Sequence, residues 1–194
     1  NYLLTGGAGY VGSVLVEDLI KDGHSVKIID KFFFETNFSD LQNVEVVKKD
    51  VRALEKKDFQ GVDIVIDLAA ISNDPSAELD QQMTYEINGE TRLNTCKLAK
   101  EAGAKGYILA SSCSIYGFNI NKVSEVSEVH PLTTYAYANL LAEKMVSSYS
   151  DSNFSVLIFR QATLFGVSRR MRFDLVINGM TYSGLTNKKI NILR

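Results

Sequence analysis

Short apolar runs alternate with amphipathic stretches along the whole chain of 194 residues. The apolar runs are continuous, which is typical of strands buried on both faces of a parallel sheet. They predict strands over Tyr2–Leu4, Ser25–Asp30, Val44–Val47, Val62–Leu68, Gly106–Ala110 and Phe154–Phe159. Apolar residues at helical spacing predict helices over Val11–Lys21, Asp80–Glu101, Tyr135–Tyr149 and Arg172–Ser183.

This order of elements predicts one α/β domain built on a doubly wound parallel sheet. The chain has two prolines and no Pro-rich linker that would divide it. The stretch Lys189–Arg194 has the pattern of a further strand, and the chain begins at Asn1 rather than at a methionine. We therefore expect a sequence that is truncated at both ends.

Composition narrows the classes of function. Apolar residues make up 45% of the chain and charged residues 23%, which is ordinary for a globular domain. The net charge of −2 argues against a nucleic-acid partner, and no apolar run approaches the roughly 18 residues of a membrane span. Two cysteines, Cys96 and Cys113, favour a reducing, cytoplasmic compartment, and we expect Cys113 to pack rather than react. His24 and His130 are isolated, so no metal site is predicted.

Three glycines between the first strand and the first helix predict a dinucleotide site. Gly6, Gly9 and Gly12 have the spacing in which the first permits a tight turn and the second a close approach to pyrophosphate. The third lets the helix pack on the strand, and the N–H groups of the helix N-terminus face the phosphates. Tyr10 and Val11 belong to the same turn.

The ends of the following strands carry further candidate NAD-binding residues. Asp30 stands where an acid accepts hydrogen bonds from ribose and repels the 2′-phosphate of NADP, although Lys31 beside it softens that preference. Asp50 either accepts from the adenine amino group, with Val51 against the ring, or caps a helix ahead of Arg52. Small side chains suited to a close cofactor follow the fourth strand, at Leu68, Ala69 and Ala70.

Together these motifs resemble those of the extended short-chain dehydrogenase/reductases, in particular the NAD-dependent sugar-nucleotide epimerase/dehydratase group. The matching stretches are TGGAGYVG at 5–12, LAAISNDP at 68–75, YEINGE at 85–90, ASSCSIYG at 110–117, PLTTY at 131–135 and GVSRRMRFDLVIN at 166–178. The resemblance implies a Rossmann domain of seven parallel strands and a smaller C-terminal substrate domain. Because members run to roughly 300 residues, we expect residues 1–194 to form the NAD-binding domain. The substrate region would begin at about residue 165, and most of it would be missing.

The resemblance also implies hydride transfer at a sugar carbon. In the family, a tyrosine takes the proton of the sugar hydroxyl and a serine or threonine hydrogen-bonds the same oxygen. A lysine four residues after the tyrosine holds the nicotinamide ribose and lowers the tyrosine pKa, which is otherwise near 10. Carried onto this chain, the tyrosine is Tyr135 and the serine is Ser112, with Tyr137 and Ser111 as rivals.

Asn139 stands where the family has this lysine. Asparagine can hydrogen-bond the ribose but carries no charge, and Lys144 lies two and a half helical turns from Tyr135. We expect impaired hydride chemistry, a natural variant activated in another way, or an inactivating substitution. Dehydratases carry Asp-Glu directly after the serine, whereas this chain has Cys113-Ser114, so 4,6-dehydration is disfavoured.

The predicted function is that of an NAD-dependent sugar-nucleotide 4-epimerase. A sugar-nucleotide dehydrogenase/reductase, or an NAD-binding protein with impaired catalysis, remains the alternative. The cluster Arg169, Arg170 and Arg172 either binds the substrate pyrophosphate or is a solvated loop. The resemblance further implies a homodimer formed through the helices Asp80–Glu101 and Tyr135–Tyr149. The candidate substrate residues are Ser72, Asn88, Ser112, Thr163 and Arg170, and Ala110, Tyr135 and Asn139 are expected at the nicotinamide end of the cofactor.

Overall fold

A computed structural model describes residues 1–190 and 192 and contains one six-stranded sheet in the order β3-β2-β1-β4-β5-β6. All neighbouring strands pair in parallel. The strands are β1 (Tyr2–Thr5), β2 (Val26–Asp30), β3 (Val44–Lys48), β4 (Ile64–Asp67), β5 (Gly106–Ser112) and β6 (Ser155–Gln161). The doubly wound parallel sheet and its six predicted strands are thereby confirmed. The part of the chain that the structure describes holds no seventh strand.

Helices cover the sheet on both faces. They are α1 (Tyr10–Lys21), α2 (Asp74–Leu79), α3 (Gln81–Tyr85), α4 (Thr91–Glu101), α5 (Thr134–Ser147) and α6 (Val176–Asn187). The helix predicted over Asp80–Glu101 is formed by α3 and α4 joined through a π-helical turn at Glu86–Glu90. Within the described residues, no helix is both long enough and apolar enough to cross a membrane.

Three predictions of local structure were wrong or incomplete. Helix α2 was not predicted, although Asn73 caps it by accepting a hydrogen bond from the N–H of Ser76. Helix α6 begins at Val176 rather than Arg172, because Arg172 and the residues after it instead fold into a loop toward the cleft described below. The strand predicted over Lys189–Arg194 is absent at residues 189, 190 and 192, and residues 191, 193 and 194 lie outside the described part.

Successive side chains of the central strands enter two separate cores. Leu3 and Val65 pack on one side of the sheet with Val146 of α5, whereas Leu4 packs on the other side with Val16 of α1. Because the side chains of a strand alternate between the two faces, a strand covered on both sides must be apolar throughout. This explains the continuous apolar runs of the sequence.

Candidate active site

A cleft of about 1090 Å³ runs along the carboxyl ends of the strands. It lies beside β1, which pairs with β2 on one side and with β4 on the other. The strand order reverses at this point, and ligands of open α/β sheets usually bind there. Its lining includes nearly all predicted site residues: Gly6, Gly9, Tyr10, Val11, Gly12, Asp30, Lys31, Asp50, Val51, Leu68, Ala69, Ala70, Ser72, Ala110, Ser112, Tyr135, Thr163 and Arg170. Asn88 and Asn139 are not part of this lining.

The glycine turn brings bare backbone to the cleft. Gly6 has a φ of +67°, and a Cβ there would come within 2.7 Å of the backbone nitrogen of Ala69. A Cβ at Gly12 would come within 2.6 Å of the Cα of Gly7, so neither position accepts a side chain. Gly9 precedes α1 without a side-chain cap, which leaves the first N–H groups of that helix available to an anion.

The Asp30 carboxylate is fixed beside this turn. It accepts hydrogen bonds from the backbone N–H of Ala8 at 3.1 Å and of Phe32 at 2.7 Å. Lys31 turns away from Asp30 and forms an ion pair with Asp50 at 3.1 Å. The acid at the end of β2 therefore keeps a defined orientation toward the cleft.

Asp50 caps the helical turn that contains Arg52, which is the second of the two roles predicted for it, and it also lines the cleft. Its carboxylate accepts from the backbone N–H of Arg52 at 2.9 Å and pairs with the Arg52 guanidinium at 2.8 Å. The Arg52 side chain, together with the Arg52 backbone and Lys31, holds the pKa of Asp50 well below its usual value. The carboxylate is therefore ionised and already engaged, which leaves Val51 as the apolar contact at this end of the cleft.

The two serines at the end of β5 have different roles. The buried Ser111 hydroxyl donates to Glu143, and the same carboxylate pairs with Arg160 at 2.8 Å. The half-buried Ser112 oxygen accepts from the N–H of Ser114 at 3.1 Å and from its hydroxyl at 2.9 Å. Because a hydroxyl has two lone pairs and one proton, Ser112 keeps its proton for a ligand in the cleft. The geometry favours Ser112 over Ser111.

Tyr135 lies in the first turn of α5, which Thr133 caps by accepting from the N–H of Ala136 at 3.2 Å. Its side chain lines the cleft, together with Ser112. Tyr137 follows two residues later, about 200° around the helix, and is half exposed outside the cleft. Tyr135 is therefore the tyrosine that the fold brings to the site.

Asn139 does not reach the cleft surface, contrary to the prediction that it contacts the ribose. It is fully buried. Its Nδ2 donates to the carbonyl of Tyr135 at 2.8 Å, and its Oδ1 accepts from Nη1 of Arg92 at 2.6 Å. Arg92 itself lines the cleft. The sequence does not predict this residue, because nothing local distinguishes a buried arginine of α4 from a solvated one.

Asn88, which was predicted as a substrate residue, also lies outside the lining of the cleft. It is fully buried in the π-helical turn. Its amide binds the backbone of Ile71 twice, accepting the N–H and donating to the carbonyl, each at 2.9 Å. Asn88 thereby fixes the cleft-lining segment that follows β4.

The basic cluster separates into three environments. Arg169 pairs with Glu17 at 2.5 Å and with Asp40 at 2.6 Å, away from the cleft. Arg172 lines the cleft but pairs with Asp174. Arg170 also lines the cleft, with its guanidinium 3.5 Å from the ring centre of Phe34, and forms no ion pair with any described residue.

Cys113 does not pack as expected, because it is exposed and lines the cleft. It begins the 3-10 turn Cys113–Tyr116, whose cap is Ser112. Ser114 of the same turn lines the cleft as well and was not predicted.

The strand order, the bare glycine turn and the acid after β2 define a dinucleotide-binding domain of the Rossmann type. The chain belongs to the NAD dependent epimerase/dehydratase family, whose model matches residues 2–191. This confirms the predicted family and, with it, the predicted dependence of that family on NAD.

Individual relatives share the fold but not a single reaction. The chain is 30% identical to an uncharacterized UDP-glucose epimerase of Bacillus subtilis, over 98% of this chain and 64% of the relative. It is 28% identical to UDP-glucuronic acid decarboxylase 1 of Xenopus tropicalis, over 98% and 47%. It also resembles the structure of UDP-glucuronic acid 4-epimerase from Bacillus cereus in complex with NAD, with a TM-score of 0.86, 25% identity, and coverage of 98% and 64%. The chain thus spans about half to two thirds of the relatives it matches.

Proposed function

We propose that this chain is the NAD-binding part of a sugar-nucleotide 4-epimerase that works by transient hydride transfer. The observation that carries the proposal is that Ser112 and Tyr135 line the same cleft as the bare glycine turn and Asp30. A nucleotide-binding half and a pair of hydroxyl groups suited to proton transfer therefore meet in one site.

The residues present fit NAD. The uncapped start of α1 and the turn at Gly6 would hold the pyrophosphate, since no side chain fills the space before the helix. Asp30 would accept from the adenosine ribose, and the small side chains Ala69 and Ala70 would lie along the cofactor. When bound, NAD supplies the acceptor and donor of the hydride.

Within this proposal Tyr135 takes the proton from the sugar hydroxyl and later returns it. Ser112 donates its remaining proton to the same sugar oxygen, since both of its lone pairs already accept from Ser114. Cys113 and Ser114 supply no carboxyl pair after this serine, which disfavours 4,6-dehydration.

The segment from about residue 165 is proposed to begin the substrate region. Thr163 and Arg170 line the cleft here, and Ser72 accepts a hydrogen bond from Arg172 at 3.2 Å across it. Among the three arginines Arg170 is the one that pairs with no described carboxylate, so we assign the substrate pyrophosphate to it.

A homodimer and a reducing, cytoplasmic setting belong to the same proposal. Exposed apolar side chains lie on the helices implied in dimerisation, with Met83 and Tyr85 on α3 and Tyr137 and Leu141 on α5. A protein with two unpaired cysteines suits a reducing compartment.

A second candidate, an NAD-binding protein with weak catalysis, is favoured by Asn139, which places no charge beneath Tyr135. Incubation of the full-length protein, of which this chain is proposed to be the NAD-binding part, with UDP-sugars discriminates between the two candidates, using Tyr135→Phe and Asp30→Ala. For the epimerase we expect C4 epimers to interconvert without net NADH, with Tyr135→Phe reducing turnover about 10²-fold or more while NAD affinity is kept.

Asp30→Ala tests the cofactor assignment separately by calorimetry. We expect weaker NAD binding and a smaller preference over NADP, because the acid no longer accepts from ribose or repels a 2′-phosphate. Asp18→Ala, an exposed acid on α1, is the matched control and should bind NAD normally. Net accumulation of NADH would identify a dehydrogenase, and NAD binding without any turnover would identify the second candidate.

A further inference from the structure

Arg92 is a buried cation that forms no ion pair with any residue that the structure describes. Arg92 is 2% exposed, and its Nε has no hydrogen-bond partner among the described residues. Among the described residues, the guanidinium makes one side-chain hydrogen bond, from Nη1 to Asn139 at 2.6 Å, and it forms no ion pair. Burying a charge without a partner is costly, so such a group is retained where a ligand completes its environment.

The polar side chains on the sheet side of Arg92 are engaged with other groups. On the sheet side, the Tyr107 hydroxyl donates to Asp67 and to the backbone carbonyl of Arg92, the latter at 3.1 Å. The oxygens of Asp67 accept from Thr5 and Tyr107, and this carboxylate forms no ion pair with the Arg92 guanidinium. Nε is enclosed in the interior, so the donors left for a ligand are those of Nη2 and the second N–H of Nη1, where Arg92 lines the cleft.

Asn139 links this cation to Tyr135. Its Oδ1 accepts from Arg92 and its Nδ2 donates to the Tyr135 carbonyl, so one amide orients both residues. A lysine at this position would offer no acceptor and would place a second cation against the guanidinium. The asparagine is therefore matched to the arginine.

We propose that Arg92 is the cationic cofactor-binding residue at the Tyr135 end of the cleft, where its free N–H groups donate to the nicotinamide ribose of NAD. This inference rests on the proposed function, since it takes NAD as the ligand. The positive charge comes from α4, and Asn139 acts as the positioning residue that holds it.

The test compares the affinities of two ligands by calorimetry in Arg92→Gln. NAD carries the nicotinamide ribose, whereas ADP shares only the adenosine and pyrophosphate. We expect NAD to bind about ten- to a hundredfold more weakly, as the loss of a charge-assisted hydrogen bond implies, while ADP affinity stays unchanged. A purely structural role for Arg92 would weaken both ligands equally.

A charge swap provides the second readout. Asn139→Lys alone should lower the melting temperature and NAD affinity, because two cations then meet in the interior. Adding Arg92→Gln to Asn139→Lys should recover both. Arg92→Lys, which keeps the charge, should retain most of the preference for NAD over ADP. It replaces Arg92→Gln in the comparison if that variant does not fold.

The outcomes separate this inference from the proposed function. If Asp30→Ala lowers the affinities for NAD and ADP while Arg92→Gln leaves both affinities unchanged, Arg92 does not contact the cofactor, although the assignment of the NAD site stands. An equal loss of NAD and ADP in Arg92→Gln also overturns it. If the unmodified chain binds neither ligand, the proposed function itself fails.

Discussion

The side-chain amide of Asn88 holds the backbone of Ile71 through two hydrogen bonds, one accepted and one donated, both at 2.9 Å. Asn88 lies in the π-helical turn Glu86–Glu90, and Ile71 follows β4 where the chain lines the cleft. The amide thus satisfies backbone groups that have left the sheet. The π-helical turn therefore helps to fix the shape of the cleft.

Removing this amide should destabilise the fold and loosen the cleft. In Asn88→Ala we expect the free energy of unfolding to fall by about 1–3 kcal/mol, because two partly buried backbone groups of Ile71 lose their partners. Urea denaturation measures the change. Asn94→Ala, an exposed asparagine on α4, is the control and should stay within about 0.5 kcal/mol. Equal stability of the two variants would contradict the structural role of Asn88.

The buried carboxyl group of Asp58 should make the free energy of unfolding depend on pH. Burial raises its pKa, but the hydrogen bonds from Lys49 at 2.6 Å and from the N–H of Glu55 at 2.8 Å outweigh burial, so the pKa is lowered below 3.8. A depressed carboxyl pKa stabilises the fold above the unfolded value, and this contribution is lost as the pH falls through the folded value. Asp58→Asn should therefore cost about 1–3 kcal/mol at pH 7.

The difference between Asp58→Asn and the unmodified chain should shrink as the pH is lowered below about 4, the unfolded pKa of aspartate. Urea denaturation across that range checks the sign. Asp18→Asn removes an exposed partner of Lys21 and should change stability little at any pH. A gap that stays constant as the pH falls below about 4 would show that Asp58 acts through something other than its charge.

The two cysteines should react very differently. Cys113 is exposed in the cleft, whereas Cys96 is fully buried, and burial raises the pKa of its thiol to about 12. Ellman's reagent at pH 8 should therefore modify one thiol per folded chain and two in denaturant. Cys113→Ser should abolish the fast phase, and NAD should slow it in the unmodified chain. Rapid reaction of both thiols would show that the core around Cys96 opens.

The sequence by itself determined the parallel sheet and the nucleotide-binding half of the cleft. The continuous apolar runs specify strands covered on both faces, and the glycine spacing specifies the turn after β1. Both signals are local, since they depend on periodicity and on residues a few positions apart. Helix α2 also carries local signals, the cap Asn73 and the first-turn Pro75, but the apolar pattern alone passes over them and the helix was missed.

Only the tertiary structure decided which polar side chains face the cleft. Ser111 and Ser112 are neighbours that both line the cleft, yet the Ser111 hydroxyl is committed to Glu143, whereas Ser112 keeps its proton for a ligand. The pairing of Arg92 with Asn139 joins residues on two different helices. Hydrogen-bond partners this far apart in sequence are set by packing, so no local pattern distinguishes a buried amide or guanidinium from one that contacts a ligand.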